Sequence, residues 1–278
     1  MKDYYYEGKR EEKIMLLANR VALITGAAGG IGRGIAVKFA SEGCDVVAAD
    51  LKSDGANETL NLVKEQGRDG IALQVDITKS AQVQAMVEKA IEKFGKIDIL
   101  VNSAGSLFND ADHTKKTIAD IPEEDWDTML NINLKGAFLC CKYVSPYMKE
   151  KRYGKIINFS SLGAIHPPTV APHYNAAKAG IMALTLDSAL ELGPFGITVN
   201  SIMPGPIRTS FYDRIVSTLT EEGKEQRFAK LSDGIPMGRM GTPEDIAGPA
   251  LFFASDLSQF VTGVNMLAAG GLPLTSRL

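Results

Sequence analysis

The stretch Val21-Ala22-Leu23-Ile24-Thr25-Gly26-Ala27-Ala28-Gly29-Gly30-Ile31-Gly32 decides the fold. Its first five residues are rich in β-favouring side chains and read as a short strand. Glycines follow at once, and from Ile31 to Ser41 the apolar residues return at helical spacing. Strand, glycine turn and helix in that order predict a backbone that reverses sharply and can approach a pyrophosphate closely. The free N–H groups and positive dipole end of the helix would meet the phosphate charge. The spacing does not fit GxGxxG, because Gly30 and Gly32 lead to Ile35. It fits TGxxxGxG through Gly26, Gly30 and Gly32, and also TGxxGxxG through Gly26, Gly29 and Gly32. Glycine turns also serve simply to pack helix on strand, so the flanking elements carry the nucleotide-binding reading.

The next strand ends at Asp50, 18 positions after Gly32. A carboxylate there accepts hydrogen bonds from adenosine ribose hydroxyls. It repels a 2′-phosphate, because like charges in a partly dry site cost energy. No lysine or arginine occupies Ala27 to Ile31, Leu51 follows Asp50, and Lys52 is the nearest cation. The expected cofactor is NAD, preferred over NADP.

Further short apolar runs follow: Val46 to Ala49, Ile71 to Val75, Ile97 to Val101, Lys155 to Phe159, Ile197 to Ser201 and Val264 to Leu267. They are continuous rather than alternating, as in strands covered on both faces. Helical patterns separate them: Ala56 to Gln66, Ala81 to Phe94, Glu123 to Lys149, Asn175 to Leu192 and Pro243 to Ala254. This alternation predicts an α/β chain: a Rossmann-like, doubly wound parallel sheet in a three-layer α/β/α single domain. Ligands then bind beyond the carboxyl ends of the strands. Residues 18–272 are expected to form the NAD-binding catalytic domain, after an N-terminal extension of residues 1–17 and before a tail of residues 273–278. Residues 208–238 are polar and weakly patterned, which fits either a flap over the site or a solvated helical pair.

The chain has 278 residues, 45% hydrophobic and 23% charged, with a formal net charge of −3. No basic field invites nucleic acid, and no apolar run is long enough to span a bilayer. The first 13 residues lack the apolar core of a secretory signal. Cys44, Cys140 and Cys141 form no disulfide framework and no metal-ligand spacing. A reducing cytoplasm and no metal are the expectation.

Tyr174 and Lys178 lie four apart, one above the other on a helix. A phenol is a poor base at neutral pH, and an ammonium beside it, with a positive nicotinamide, would favour the phenolate. Ser161 follows a strand end 13 residues before Tyr174, where its hydroxyl can hold a substrate oxygen. Asn133 falls inside the long helical stretch, which is unfavourable unless its amide finds partners. His113, His166 and His173 read as loop histidines, with a pocket-lining role the sharper alternative.

Taken in order, these residues resemble the compact single-domain branch of the short-chain dehydrogenase/reductase family. The likeness runs from about Asn19 to Gly271 and includes the glycine turn, Asp76, Asn102-Ser103-Ala104-Gly105, Asn133, Ser161, Tyr174, Lys178, and Pro204-Gly205 with Thr209. The resemblance implies that Tyr174 is the general acid/base, that Lys178 holds the nicotinamide ribose, and that Ser161 orients the carbonyl or alcohol. It makes Asn133 the holder of a relay water. Asp76 and Ile77 would face the adenine, and Asn102, Ala104 and Gly105 would support the cofactor. Pro204, Gly205 and Ile207 would meet the nicotinamide side, with Thr209 near its carboxamide or the phosphates. It also implies a small-molecule alcohol or ketone as substrate and a homotetramer, with helices 123–149 and 175–192 at one interface. Ser103 and Ala269 depart from the family's usual asparagine and aspartate. Two other readings stay open: an NAD-dependent epimerase or dehydratase, and a non-catalytic dinucleotide-binding protein on the same fold.

Overall fold

The computed structural model describes residues 14–106, 118–167, 171–210, 212 and 219–274. Strand β1 (Val21–Thr25) is buried along its whole length, and its side chains still divide by parity. Ala22 and Ile24 enter one hydrophobic cluster, with Ile35, Phe39, Ile99, Ile157 and Phe253. Leu23 enters the other, with Val47, Met86, Leu100, Met148 and Ile156. A strand that feeds two cores must sit between two helical layers, and the continuous apolar runs are the trace of that position.

Seven strands form one sheet in the order β3-β2-β1-β4-β5-β6-β7. They are β1, β2 (Asp45–Asp50), β3 (Gly70–Gln74), β4 (Ile99–Asn102), β5 (Gly154–Phe159), β6 (Ile197–Pro204) and β7 (Asn265–Ala268). Every pairing is parallel. The chain runs outward from β1 to β3, returns to place β4 beside β1, and runs outward on the other side. The strand order therefore reverses between β1 and β4, and the crevice above that point is where ligands gather in such sheets. Strand β6 outruns the expected end at Ser201, because Met203 and Pro204 pair with Leu267 and Ala268.

Among the described residues the helices are α1 (Gly30–Ser41), α2 (Ser53–Glu65), α3 (Ser80–Phe94), α4 (Glu123–Leu130), α5 (Gly136–Lys151), α6 (Pro172–Leu192), α7 (Glu221–Asp233) and α8 (Pro243–Ala254). Two of them correct the sequence reading. The stretch expected as one helix from Glu123 to Lys149 is broken by a single π turn, Asn131–Lys135, between α4 and α5. Within residues 208–238 lies α7, which buries only Phe228, so its periodicity is nearly silent. Phe228 joins Ile235 and Met240 in a small separate cluster, with Tyr212, Leu231 and Leu272 against it. No helix among the described residues is long and apolar enough to cross a membrane.

Candidate active site

The glycine turn is built by close backbone contact. Gly26 takes a left-handed φ of +71°, and a Cβ there would lie 2.7 Å from the Ala104 Cα. A Cβ on Gly32 would lie 2.2 Å from the Gly26 carbonyl oxygen. The turn thus presses on the loop after β4, and the Ala104 N–H donates to Thr25 Oγ1 at 3.2 Å. Across the turn, Thr209 Cγ2 would stand 3.3 Å from a Cβ on Gly30. Ile31 packs inward on the first core. No side chain caps the start of α1, so the positive end of its dipole, beside Thr209, is left without a side-chain acceptor. These contacts leave no room for a side chain at Gly26 or Gly32, so the turn admits glycine alone.

Asp50 sits at the corner beside this turn. One carboxylate oxygen accepts from Ala28 N–H at 3.0 Å and the other from Lys52 N–H at 2.9 Å. Leu51 is 63% exposed. The nearby Arg33 guanidinium donates to the Ala28 carbonyl at 2.6 Å, to Gly55 O at 3.2 Å and to Glu58 at 2.7 Å. Asp76 is occupied by its own turn, accepting from the Thr78 N–H at 2.9 Å and hydroxyl at 2.7 Å. Ile77 packs on the start of α5, where a Cβ on Gly136 would meet its Cδ1 at 2.4 Å. Pro204 ends β6, and Gly205 lies against Ala269, whose Cβ would be 2.8 Å from one on the glycine. Ile207 is buried and pairs with Gly241 in a short parallel bridge. Asn102 turns into the sheet rather than toward the crevice, donating to Asn158 Oδ1 at 2.8 Å.

Helix α6 begins at Pro172, three residues before the expected start, so Tyr174 belongs to its first turn. One turn on, the Lys178 Nζ lies 5.6 Å from the Tyr174 ring centroid and donates to the Phe159 carbonyl at 2.9 Å. Ser161 caps a short turn, Leu162–Ala164, and accepts from the Gly163 N–H at 3.1 Å. Asn133 is only 1% exposed. The π turn lets its amide donate to Ser106 O at 2.8 Å and Met129 O at 3.2 Å, while Oδ1 accepts from the Ser106 N–H at 3.2 Å. Gly105 brings these groups together. A Cβ there would lie 2.8 Å from Asn133 Oδ1 and 3.3 Å from Lys178 Nζ.

Lys178 and a positive nicotinamide together are expected to lower the Tyr174 phenol; the protein groups by themselves act the other way. Burial pushes Tyr174 up to about 12, with a hydrogen bond from Ser161 opposing and nearby Tyr212 adding to the rise. Burial also pulls Lys178 down to about 8. The same desolvation that disfavours phenolate disfavours ammonium, so each loses its charged form.

Sequence reading passed over several contributors. Thr25 and Ser106 hold the loop after β4, and Ser160 donates to the Lys178 carbonyl at 2.7 Å. A polar residue at the end of an apolar strand was the available signal. Tyr212, beside Tyr174, had none. His166 is exposed and His173 is buried in the first turn of α6. His113, Asp110 and Asp112 lie outside the described residues, as do residues 107–117, 168–170, 211 and 213–218.

Comparison with known proteins places this arrangement. The family profile described as enoyl-(acyl carrier protein) reductase matches residues 26–273. A (2S)-[(R)-hydroxy(phenyl)methyl]succinyl-CoA dehydrogenase subunit, BbsD, of Thauera aromatica is 39% identical over 260 residues, 94% of this chain and 99% of that one. The 3-oxoacyl-[acyl-carrier-protein] reductase FabG of Thermotoga maritima is 39% identical over 263 residues, 93% of this chain and 99% of that one. Among solved structures, levodione reductase superposes with a TM-score of 0.86 at 31% identity, covering 92% of this chain and 98% of its own. Likeness of this extent in sequence and backbone shows that the chain belongs to the short-chain dehydrogenase/reductase family and is an oxidoreductase acting on CH–OH groups.

Proposed function

We propose that this chain interconverts a secondary alcohol and a ketone with NAD as its dinucleotide. The observation that carries this reading is the meeting of Asn133, Lys178 and the Gly105 backbone around one small space, with Tyr174 and Ser161 beside it. When bound, the nicotinamide supplies the acceptor or donor of hydride. Ser161 and Tyr174 hold the substrate oxygen, and Tyr174 takes or returns its proton. Lys178 holds the nicotinamide ribose and offsets charge on the phenol. Asn133, fixed by both groups of Ser106, orients a water that passes the proton on.

Gly26, Gly30, Ile31 and Gly32 cradle the pyrophosphate, with Thr209 opposite. Asp50 receives the adenosine ribose, Leu51 lies beside it, and Asp76 and Ile77 border the adenine. Asn102, Ala104 and Gly105 form the floor, and Pro204, Gly205 and Ile207 the nicotinamide side. Support for NAD over NADP lies in Asp50 and in Arg33, whose guanidinium is already engaged by Ala28, Gly55 and Glu58 and so offers little to a 2′-phosphate.

Two of the relatives act, by their names, on acyl thioesters, so a thioester bearing a secondary alcohol or ketone is the first substrate class to test. The three free, buried thiols fit a reducing cytoplasm. A homotetramer fits the outer face of α4 and α5, where Leu130, Leu134 and the half-exposed Phe138 line a groove of about 500 Å³.

The test is an NADH-release screen over thioester, cyclic and sugar secondary alcohols, run in parallel with NADP. NAD-linked turnover with the higher kcat/KM is the expected result. Dinucleotide binding without turnover across the panel would refute the reaction, and an NADP preference would refute the cofactor assignment.

A further inference from the structure

On one face of β5 and the residue that follows it, two polar side chains stand where the packing calls for apolar ones. By alternation Asn158 and Ser160 share the face of Ile156, which belongs to the second apolar cluster. Both are buried, Asn158 completely. Polar groups in such a place are costly unless paired, and these are paired at every turn. The Asn158 Oδ1 accepts from Asn102 Nδ2 at 2.8 Å, and its Nδ2 donates to the Thr185 hydroxyl at 3.0 Å. Thr185 donates in turn to the Ile181 carbonyl at 2.8 Å. Ser160 donates to the Lys178 carbonyl at 2.7 Å, and the Lys178 ammonium reaches back to the Phe159 carbonyl at 2.9 Å.

Strand β5 is thus fastened to α6 at Lys178 and again at Thr185, about two turns further along the same face. Through Asn102 the fastening extends to β4, whose continuation supplies Ala104, Gly105 and Ser106. An interface of aliphatic side chains tolerates small sliding, because its attraction has little direction. Hydrogen bonds fix both length and angle, and with the Asn158 amide and the Ser160 and Thr185 hydroxyls all paired, and only Asn102 Oδ1 left over, the network selects one packing among several near-equal ones.

We propose that Asn158 and Ser160 are positioning residues that set the height of α6 along β5, and so place the Lys178 ammonium beside Gly105 and the Tyr174 phenol one helical turn before it. The proposal rests on the alcohol–ketone reading above, since that reading gives the two groups their work. Neither Asn158 nor Ser160 touches the crevice. Their effect passes through the helix.

The test uses the full chain with Ser160→Ala and Thr185→Val, each of which deletes one hydroxyl at nearly constant volume, and Thr185→Ser as the conservative partner. An error of about 1 Å in placing a reacting group costs on the order of 100-fold. The expected result is a fall in kcat of about 10- to 100-fold in the first two variants, with substrate KM nearly unchanged. NADH affinity, read by its fluorescence, falls as well, because Lys178 shifts. The pH profile of kcat moves toward higher pH as the ammonium regains solvent, and Thr185→Ser restores all three. Variants that melt earlier yet keep wild-type kcat, pH profile and NADH affinity would overturn the proposal and leave the network a purely structural one. A wild-type protein that neither turns over nor binds NADH would instead sink the underlying reading, and the proposal with it.

Discussion

Two regions border the crevice, and they are held in different ways. The floor, from β1 through β5 to α6, is fixed by short buried contacts: the glycine turn against Ala104, Asn133 against Ser106, and Lys178 against Phe159. The outer wall beyond β6 rests on a small cluster of Phe228, Ile235 and Met240, and on ion pairs at the surface. Arg208 pairs with Glu225 at 3.0 Å, Lys224 with Glu221 at 2.5 Å and Arg239 with Asp245 at 2.6 Å. Exposed pairs of this kind contribute at most about 1 kcal/mol each, and a region with few buried contacts opens locally at low cost. On the proposed function the contrast is a division of labour: the groups proposed to move protons sit where nothing yields, and the surface proposed to meet the substrate sits where the chain can give.

The sharpest way to break this comparison is at the floor. Tyr174→Phe should lower kcat by at least about 100-fold, the usual weight of general acid/base catalysis, while dinucleotide binding persists. Steady-state turnover in that variant close to wild type would remove the floor's claim to the chemistry. Next in size is Gly105→Ala. Its methyl would lie 2.8 Å from Asn133 Oδ1 and 3.3 Å from Lys178 Nζ, so one of them must shift, and kcat should drop by about 10-fold or more. Gly193→Ala is the matched control, because no atom lies within 4 Å of a Cβ there, and its turnover should stay at wild-type level.

On the wall, Phe228→Ala should raise substrate KM several-fold with kcat nearly preserved, and should speed amide exchange in α7 alone. Equal loss of kcat and kcat/KM would show that the wall takes part in the chemistry and would dissolve the contrast. The smallest effect concerns stability without added dinucleotide. Unfolded Lys178 keeps its proton to about 10.5, whereas the folded group releases it near 8. Between those values the unfolded chain binds more protons, so stability rises with pH. The gain should be roughly 1–2 kcal/mol between pH 8 and 10, ahead of the opposite trend from Tyr174, and should be absent in Lys178→Met. Urea midpoints at the two pH values measure it.

Much of this was legible in the residues alone. The glycine turn after β1 and the seven apolar runs set out the sheet, because a strand buried on both faces has a composition that little else shares. Tyr174, Lys178, Ser161 and Asn133 were legible through the resemblance of their ordered set to the family, and the structure brings Asn133 and Lys178 to one place. Three things were hidden for physical reasons. A π turn alters apolar spacing by a single residue, so Glu123 to Lys149 still reads as one helix. Helix α7 buries one side chain and leaves no stripe to see. Burial at Tyr174 and Lys178 depends on elements far apart in the chain, so their spacing alone showed the neighbour and not the desolvation that outweighs it.

The π turn at Asn131–Lys135 has a consequence for how this chain can change over generations. One extra residue is accommodated there, so the count of residues between Glu123 and Lys151 matters as much as their identity. Loss of a single codon in that stretch would restore regular winding, keep the flanking helices in phase and erase the wide turn itself. Asn133 would swing off Ser106 even though no side chain had been replaced. In this segment the genome should tolerate substitution far more readily than it tolerates indels.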